Sequence, residues 1–249
     1  MTISKRDAIR AQRTKKKRRQ RMNTILWVGG FIVVLTLLLA SPSIYNALKP
    51  AGEFVRITPE AHPMEDGIAI GNPDAPVVIE IYEDFQCPIC KEYTLVDEDK
   101  FFDSPYIADG QVYYVFRQFP ILDDASLVTR ESYQSANASM CAMEQGRFWD
   151  YHDILFANQG VAENAGAFSD KRLQAFAESL GLDMTAFNQC FNDDKYSAEI
   201  EADYQKGRAA GATGTPWFYL NGTLLSPGYM TYDQLKTAVE AAIIAEGNQ

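Results

Sequence analysis

The chain has 249 residues, 47% of them apolar and 22% charged, which excludes both a disordered polymer and an all-helical membrane protein. Four cysteines are too few for a cysteine-stapled miniprotein, and a chain this long can bury a core without such staples. The net charge of −10 is unevenly spread: Met1 to Met22 holds ten Lys/Arg against one acid, Asp7, leaving 13 Lys/Arg against 32 Asp/Glu in the remainder.

Residues 1–23 form a basic segment whose run Lys15, Lys16, Lys17, Arg18, Arg19 and Arg21 could, alone, signal nucleic-acid binding or import. The adjoining apolar stretch argues against that. Thr24 to Ala40 carries no charge, and none appears between Met22 and Leu48. At ~1.5 Å per residue, about 17 to 25 helical residues match the hydrocarbon core of a bilayer. Residues 24–46 therefore read as a single-pass signal-anchor in the plasma membrane. The basic flank stays cytoplasmic, and everything after the span is extracytoplasmic, where disulfides are tolerated. A cleavable signal peptide has the same order and would give a secreted protein. The anchor is favoured because the apolar run is long, the small-residue exit Leu38-Leu39-Ala40 lacks a small residue three before the cut, and no cysteine comes after it to take a lipid. The acidic bulk beyond it speaks against nucleic acid as a ligand.

Residues 47–70, with Pro50, Gly52, Pro59 and Pro63, read as an extracytoplasmic linker, and the folded domain is expected over 71–249. Val77 to Tyr82 and Gln111 to Phe116 are β-branched and aromatic runs suited to buried strands, and Cys90 to Phe102 between them is long enough for a helix. Strand, helix, strand is the parallel crossover unit. From about 117 to 211 the pattern is helical. Leu173, Phe176, Ala177 and Leu180 make one stripe, with Ser169 as its expected cap and Gly181 as its end. Phe148, Trp149, His152, Leu155 and Phe156 make another, and Phe187, Cys190 and Phe191 a third. Trp217 to Leu220, the turn pair Asn221-Gly222 and Thr223 to Leu225 predict a hairpin. Met230 to Ala245 closes the chain as a helix with Leu235, Ala238, Val239 and Ala242 on one face. The expected fold class is α/β, in the order β-α-β, helices, β-β-α.

The chemistry lies in Cys87-Pro88-Ile89-Cys90, placed after a predicted strand and at the opening of a predicted helix. Pro88 suits the first helical position, where no N–H bond is lost. Cys87 then sits at the cap, where unpaired N–H groups and the positive end of the helix dipole favour its thiolate. A stabilised thiolate favours the reduced pair, so the disulfide is oxidising towards substrates. Cys87 is the expected nucleophile and Cys90, one turn in, the resolving thiol. Ile89 brings no positive charge, which points to a milder oxidant than a pair with histidine there. Half of a zinc site is the competing reading, but Cys141, Cys190, His62 and His152 match no zinc-ligand spacing. No metal or cofactor is therefore expected. Gly214-Thr215-Pro216 enters the Trp217 strand, and a proline there removes a ladder donor.

Gly71-Asn72-Pro73-Asp74-Ala75-Pro76, Tyr82 to Cys90, Gln145-Gly146-Arg147-Phe148-Trp149-Asp150-Tyr151-His152-Asp153, Gly181-Leu182-Asp183 and Gly211 to Pro216, in this order, resemble the DsbA-type extracytoplasmic thiol:disulfide oxidoreductases. The resemblance implies a thioredoxin fold with a helical insertion at about 117–211, with Cys87 and Cys90 as the redox pair. It also implies that Pro216 is cis against that pair, and that Thr215 offers backbone hydrogen bonds to an extended substrate. As partners it implies exported proteins with reduced cysteines and a quinone-coupled membrane enzyme that reoxidises the pair. Many relatives carry a buried carboxylate six residues before the nucleophile. Here that position is Ile81, and Glu80, Glu83 and Asp84 are nearby. A reductase or isomerase using the same cysteines is the alternative activity, and a tethered binding or chaperone module the alternative class. Cys141 and Cys190 would close a loop of about fifty residues as a structural disulfide. Two free core thiols or a second redox pair are the other readings. His152, on its aromatic stripe, reads as a packed helix residue.

Overall fold

Residues 65–83 supply strands β1 (Glu65–Asp66), β2 (Ala69–Gly71) and β3 (Val77–Glu83). Helix α1 (Pro88–Tyr93) runs through one wide π turn (Thr94–Glu98) into α2 (Asp99–Phe102), and α3 (Pro105–Ala108) leads to β4 (Val112–Gln118). A 3₁₀ turn (Ile121–Ala125) precedes α4 (Glu131–Met143), α5 (Phe148–Ala157), α6 (Asp170–Ser179), α7 (Met184–Asn192) and α8 (Ser197–Ala209). Strands β5 (Trp217–Leu220) and β6 (Thr223–Ser226) and helix α9 (Tyr232–Glu246) complete the domain. This is the expected α/β order, with five described helices in the region read as an insertion. The computed structural model describes residues 17–19, 21–32, 34–35, 51–125 and 129–247, and the chain divides into two compact units between Pro50 and Ala51. In the first unit, residues 21–32 are helical and exposed. Among the described residues no helix is long and apolar enough to cross a membrane. The expected span 24–46 lies partly outside them, at residue 33 and from 36 onward.

The sheet order is β1-β2-β4-β3-β5-β6, with β3 and β4 parallel and the other pairs antiparallel. Side chains alternate faces along a strand, so Val77, Ile79, Ile81 and Glu83 share one face of β3, and Val78, Glu80 and Tyr82 the other. Val77, Ile79 and Ile81 are wholly buried in the main core. On the opposite face Tyr82, Phe119, Ala212 and Tyr219 form a second, smaller core with Tyr204 of α8. That helix packs closely because residue 207 is glycine: a Cβ there would lie 2.7 Å from the Phe119 ring and 2.9 Å from that of Tyr82. The hairpin forms as predicted, with Asn221 and Gly222 both at positive φ (47° and 74°).

Three local expectations need amendment. Ser169 is the N-cap of α6 but its side chain makes no capping bond, whereas Asp183 caps α7 by accepting from the N–H groups of Thr185 and Ala186. Helix α9 opens on a capping box between Thr231 and Gln234 that the apolar pattern does not show. The stretch read as a linker has no regular structure from 51 to 62, yet it is fastened to the domain. Phe54 meets Phe176 edge-on at 5.1 Å, Asn158 brackets the Val55 backbone with bonds of 2.7 and 2.8 Å, and Arg172 donates to the carbonyls of Ala51 and Glu53. The last part of that stretch, 65–70, is no linker but β1 and most of β2, two strands ahead of the expected order that extend the sheet, with Ile70 opposite Tyr114.

Cys141 of α4 and Cys190 of α7 are joined in a disulfide, with Cα atoms 5.8 Å apart. Both are buried, and Phe187 and Phe191 stack one turn apart beside Cys190, their ring centroids 5.9 Å apart.

Candidate active site

Cys87 is the N-cap of α1, extended at φ −71° and ψ 119°, with Pro88 in the first turn. The loop before it is set by Asp84. Its carbonyl accepts from the Cys87 N–H at 2.9 Å, while its carboxylate accepts from the N–H groups of Gln86 and Leu122 and the hydroxyl of Ser132. Burial raises the Asp84 pKa to about 7 against these bonds. Gln159 holds the loop from the insertion side, its amide donating to the carbonyls of Phe85 and Cys87 at 2.8 and 2.9 Å. Neither contact is visible in the sequence.

Both cysteines of the pair are free thiols: Cys87 is 6% exposed and Cys90 wholly buried, while Ile89 is exposed. The Cys87 pKa falls to about 6. Hydrogen bonding from the Cys90 thiol is the largest cause; it outweighs burial, with help from the Thr215 side chain and the N–H groups of Cys90 and Ile89. Burial and the neighbouring Cys87 and Glu83 push Cys90 well above the usual thiol range. One sulfur is thus poised to ionise and the other to stay protonated.

The Thr215-Pro216 bond is cis, and the Cys87 S–H donates to the Thr215 carbonyl at 3.3 Å. Ionisation of Cys87 removes that donor and leaves the carbonyl open to an incoming N–H. The structure thus brings Cys87, Pro88, Ile89, Cys90, Thr215 and Pro216 to one place. Cys141 and Cys190 lie apart from it, within the helical insertion.

Behind Cys90 lies a polar cluster within the core. Glu83 ends β3 on the face that Ile81 shares, one pleat nearer the nucleophile than the expected carboxylate position. Glu80 points to the other face and pairs with Arg117 and Lys206. Glu83, Glu98 of the π turn and His152 of α5 converge with ligand atoms within 4.8 Å of one another, and among the described residues this is the group able to hold a metal ion. Burial raises the pKa of both carboxyls; it would lower that of His152, but Glu98, Asp153 and Glu83 outweigh it and hold it up.

A central sheet, a thiol at a helix cap and a cis proline opposite define a thioredoxin-type dithiol site. The family model described as thioredoxin matches residues 64–241, and the chain belongs to that family. The antiporter NhaA 3 of Salinispora tropica is 32% identical over 152 residues, covering 61% of this chain and 21% of that protein, so this chain matches about a fifth of its length. The probable disulfide bond formation protein D of Bacillus cereus is 24% identical over 173 residues, covering 69% of this chain and 76% of that one. The crystal structure of alpha-DsbA1 from Wolbachia pipientis superposes with a TM-score of 0.61 at 22% identity, covering 74% of this chain and 94% of the other. The DsbA-type resemblance carried by the motifs is met by these neighbours.

Proposed function

We propose that this chain is a thiol:disulfide oxidoreductase that works as a membrane-anchored dithiol oxidase, passing the Cys87–Cys90 disulfide to exported proteins with reduced cysteines. A substrate thiolate attacks the Cys87 sulfur, and Cys90 leaves as a thiolate and takes up a proton. The second substrate thiolate then attacks its partner sulfur in the mixed disulfide and expels Cys87. The substrate gains a disulfide and the pair gains two electrons and is left reduced. A quinone-coupled membrane enzyme, as the family resemblance implies, returns it to the disulfide.

The observation that carries this reading is the capped Cys87 thiol, with a pKa of about 6, against the Thr215 carbonyl. Relative to an ordinary thiol at ~8.5, that acidity favours the reduced pair about tenfold at pH 7, making the disulfide about 30 mV more oxidising. An extended substrate backbone would donate to the Thr215 carbonyl as its sulfur meets Cys87, a β-like pairing that reads no side chain. The uncharged run before Leu48 supports the anchor. Trapping thiols in intact cells tests the direction of flow. The oxidase predicts a pair held mostly as disulfide and a chain that sediments with membranes. A pair held mostly as dithiol would instead assign reductase or isomerase work.

A further inference from the structure

We propose that Glu83, Glu98 and His152 form a binding site for one divalent transition-metal ion of the zinc class, buried behind Cys90 and sharing no ligand with the redox pair. Three elements contribute: the end of β3, the π turn and α5. The three side chains are essentially inaccessible to solvent. Both oxygens of Glu83, Oε2 of Glu98 and Nε2 of His152 lack a partner in hydrogen-bond geometry, although the imidazole and the Cys90 thiol lie near enough to Glu83 to pull against the rise in its pKa. Ionised, two buried carboxylates side by side cost several kcal/mol each, which is why burial raises their pKa; a cation bound between them would remove that cost.

The spacing distinguishes the two candidate cations. If a protonated His152 were the counter-charge, its Nε2–H would bond a carboxylate at about 2.7–2.9 Å. Nε2 instead stands 3.5 Å from Glu98 Oε2 and 3.9 Å from Glu83 Oε2. Around a tetrahedral ion with bonds of about 2.0–2.2 Å, neighbouring ligand atoms lie about 3.4 Å apart, close to the 3.5 Å between His152 and Glu98, while Glu83, at 3.9 Å from His152 and within 4.8 Å of both, would draw in on binding.

The surroundings of the three ligands also fit. His152 Nδ1 lies 2.9 Å from Oδ1 of the partly exposed Asp153, which anchors a proton on Nδ1, so that an ion displacing the proton on Nε2 would meet its lone pair facing inward. Glu98 Oε1 accepts from the Tyr114 hydroxyl at 2.8 Å, and that hydroxyl lies 3.2 Å from that of Tyr93, so Oε2 alone is left for the ion. One imidazole with two carboxylates suits zinc, cobalt or ferrous iron better than calcium or magnesium, which take all-oxygen shells, or cuprous copper, which takes sulfur.

Zinc titration of the detergent-solubilised full chain against a chromogenic chelator tests this, with the Cys87→Ser/Cys90→Ser variant used to remove the thiols. The expected result is one equivalent of zinc per chain in both proteins. X-ray absorption should show a shell of nitrogen and oxygen without sulfur, and binding should be at least about tenfold weaker in Glu98→Gln and His152→Gln. Should those variants fail to fold, Asp153→Asn decides, because it leaves the core intact and frees the imidazole: zinc should bind about 10–100-fold more weakly. Zinc lost with the two cysteines, or binding unchanged in the Glu98, His152 and Asp153 variants, would overturn the site. Binding unchanged in the ligand variants leaves the oxidase reading untouched, whereas zinc held by Cys87 and Cys90 would count against that reading as well.

Discussion

The domain holds two cysteine pairs in opposite surroundings. Cys87 and Cys90 lie at a helix start, where the Cys90 thiol's bond to Cys87, helped by N–H groups, lowers one pKa, and burial with the neighbouring Cys87 and Glu83 raises the other. Cys141 and Cys190 lie between two helices of the insertion, against the stacked Phe187 and Phe191, and are closed into a disulfide. The thiol chemistry is the same in both. A hydrogen bond from the neighbouring thiol, helped by backbone N–H groups, makes one pair exchangeable, and apolar packing with a long closed loop makes the other a staple.

That contrast can be broken most severely at the nucleophile. Cys87→Ser should lower thiol–disulfide exchange on the order of 10³-fold or more, read by oxidation of a reduced model protein, while Cys141→Ser/Cys190→Ser should stay within several-fold of the parent. Equal losses would mean that the second pair takes part in exchange. The staple should appear instead in stability: removing it should reduce the unfolding free energy by about 2–4 kcal/mol in denaturant titrations.

A third measurement sharpens the acidity of the first pair. Thiolate absorbance should titrate near pH 6 for Cys87 and show no second step before strongly alkaline pH. Because the folded-state pKa is depressed, the extra stability of the reduced form is absent below about pH 6, grows towards ~8.5 and is constant above. The potential of the couple should accordingly fall by about 59 mV per pH unit below pH 6 and about 30 mV above it. The smallest effect is expected from Ile89→His. A positive ring beside the cap should depress Cys87 further and raise the potential by up to about 30 mV, measured against glutathione.

Much of this organisation was legible in the sequence. The runs at Val77 and Val112, the helical stripes and the Asn221-Gly222 turn specify their elements locally, and the C-x-x-C and Thr215-Pro216 motifs mark two edges of the site. What was not legible depends on partners far along the chain. Strands β1 and β2 are short and rich in turn residues, and only their register against β4 makes them strands. Gln159 reaches back to Phe85 and Cys87 through backbone carbonyls that carry no sequence signature. His152 is packed as its stripe suggests, ringed by Phe85, Phe116, Phe148, Trp149 and Phe156. Its inward nitrogen nevertheless faces two acids that no pattern within α5 could reveal.

The wide turn at Thr94–Glu98 has an evolutionary corollary. It buries Thr94, Asp97 and Glu98 on the side that Tyr93 before it and Phe101 and Phe102 after it also take. A descendant in which Glu98 drifted to leucine would leave the Tyr114 hydroxyl with Tyr93 as its remaining partner, so that the two tyrosines would become free to drift to phenylalanine in turn.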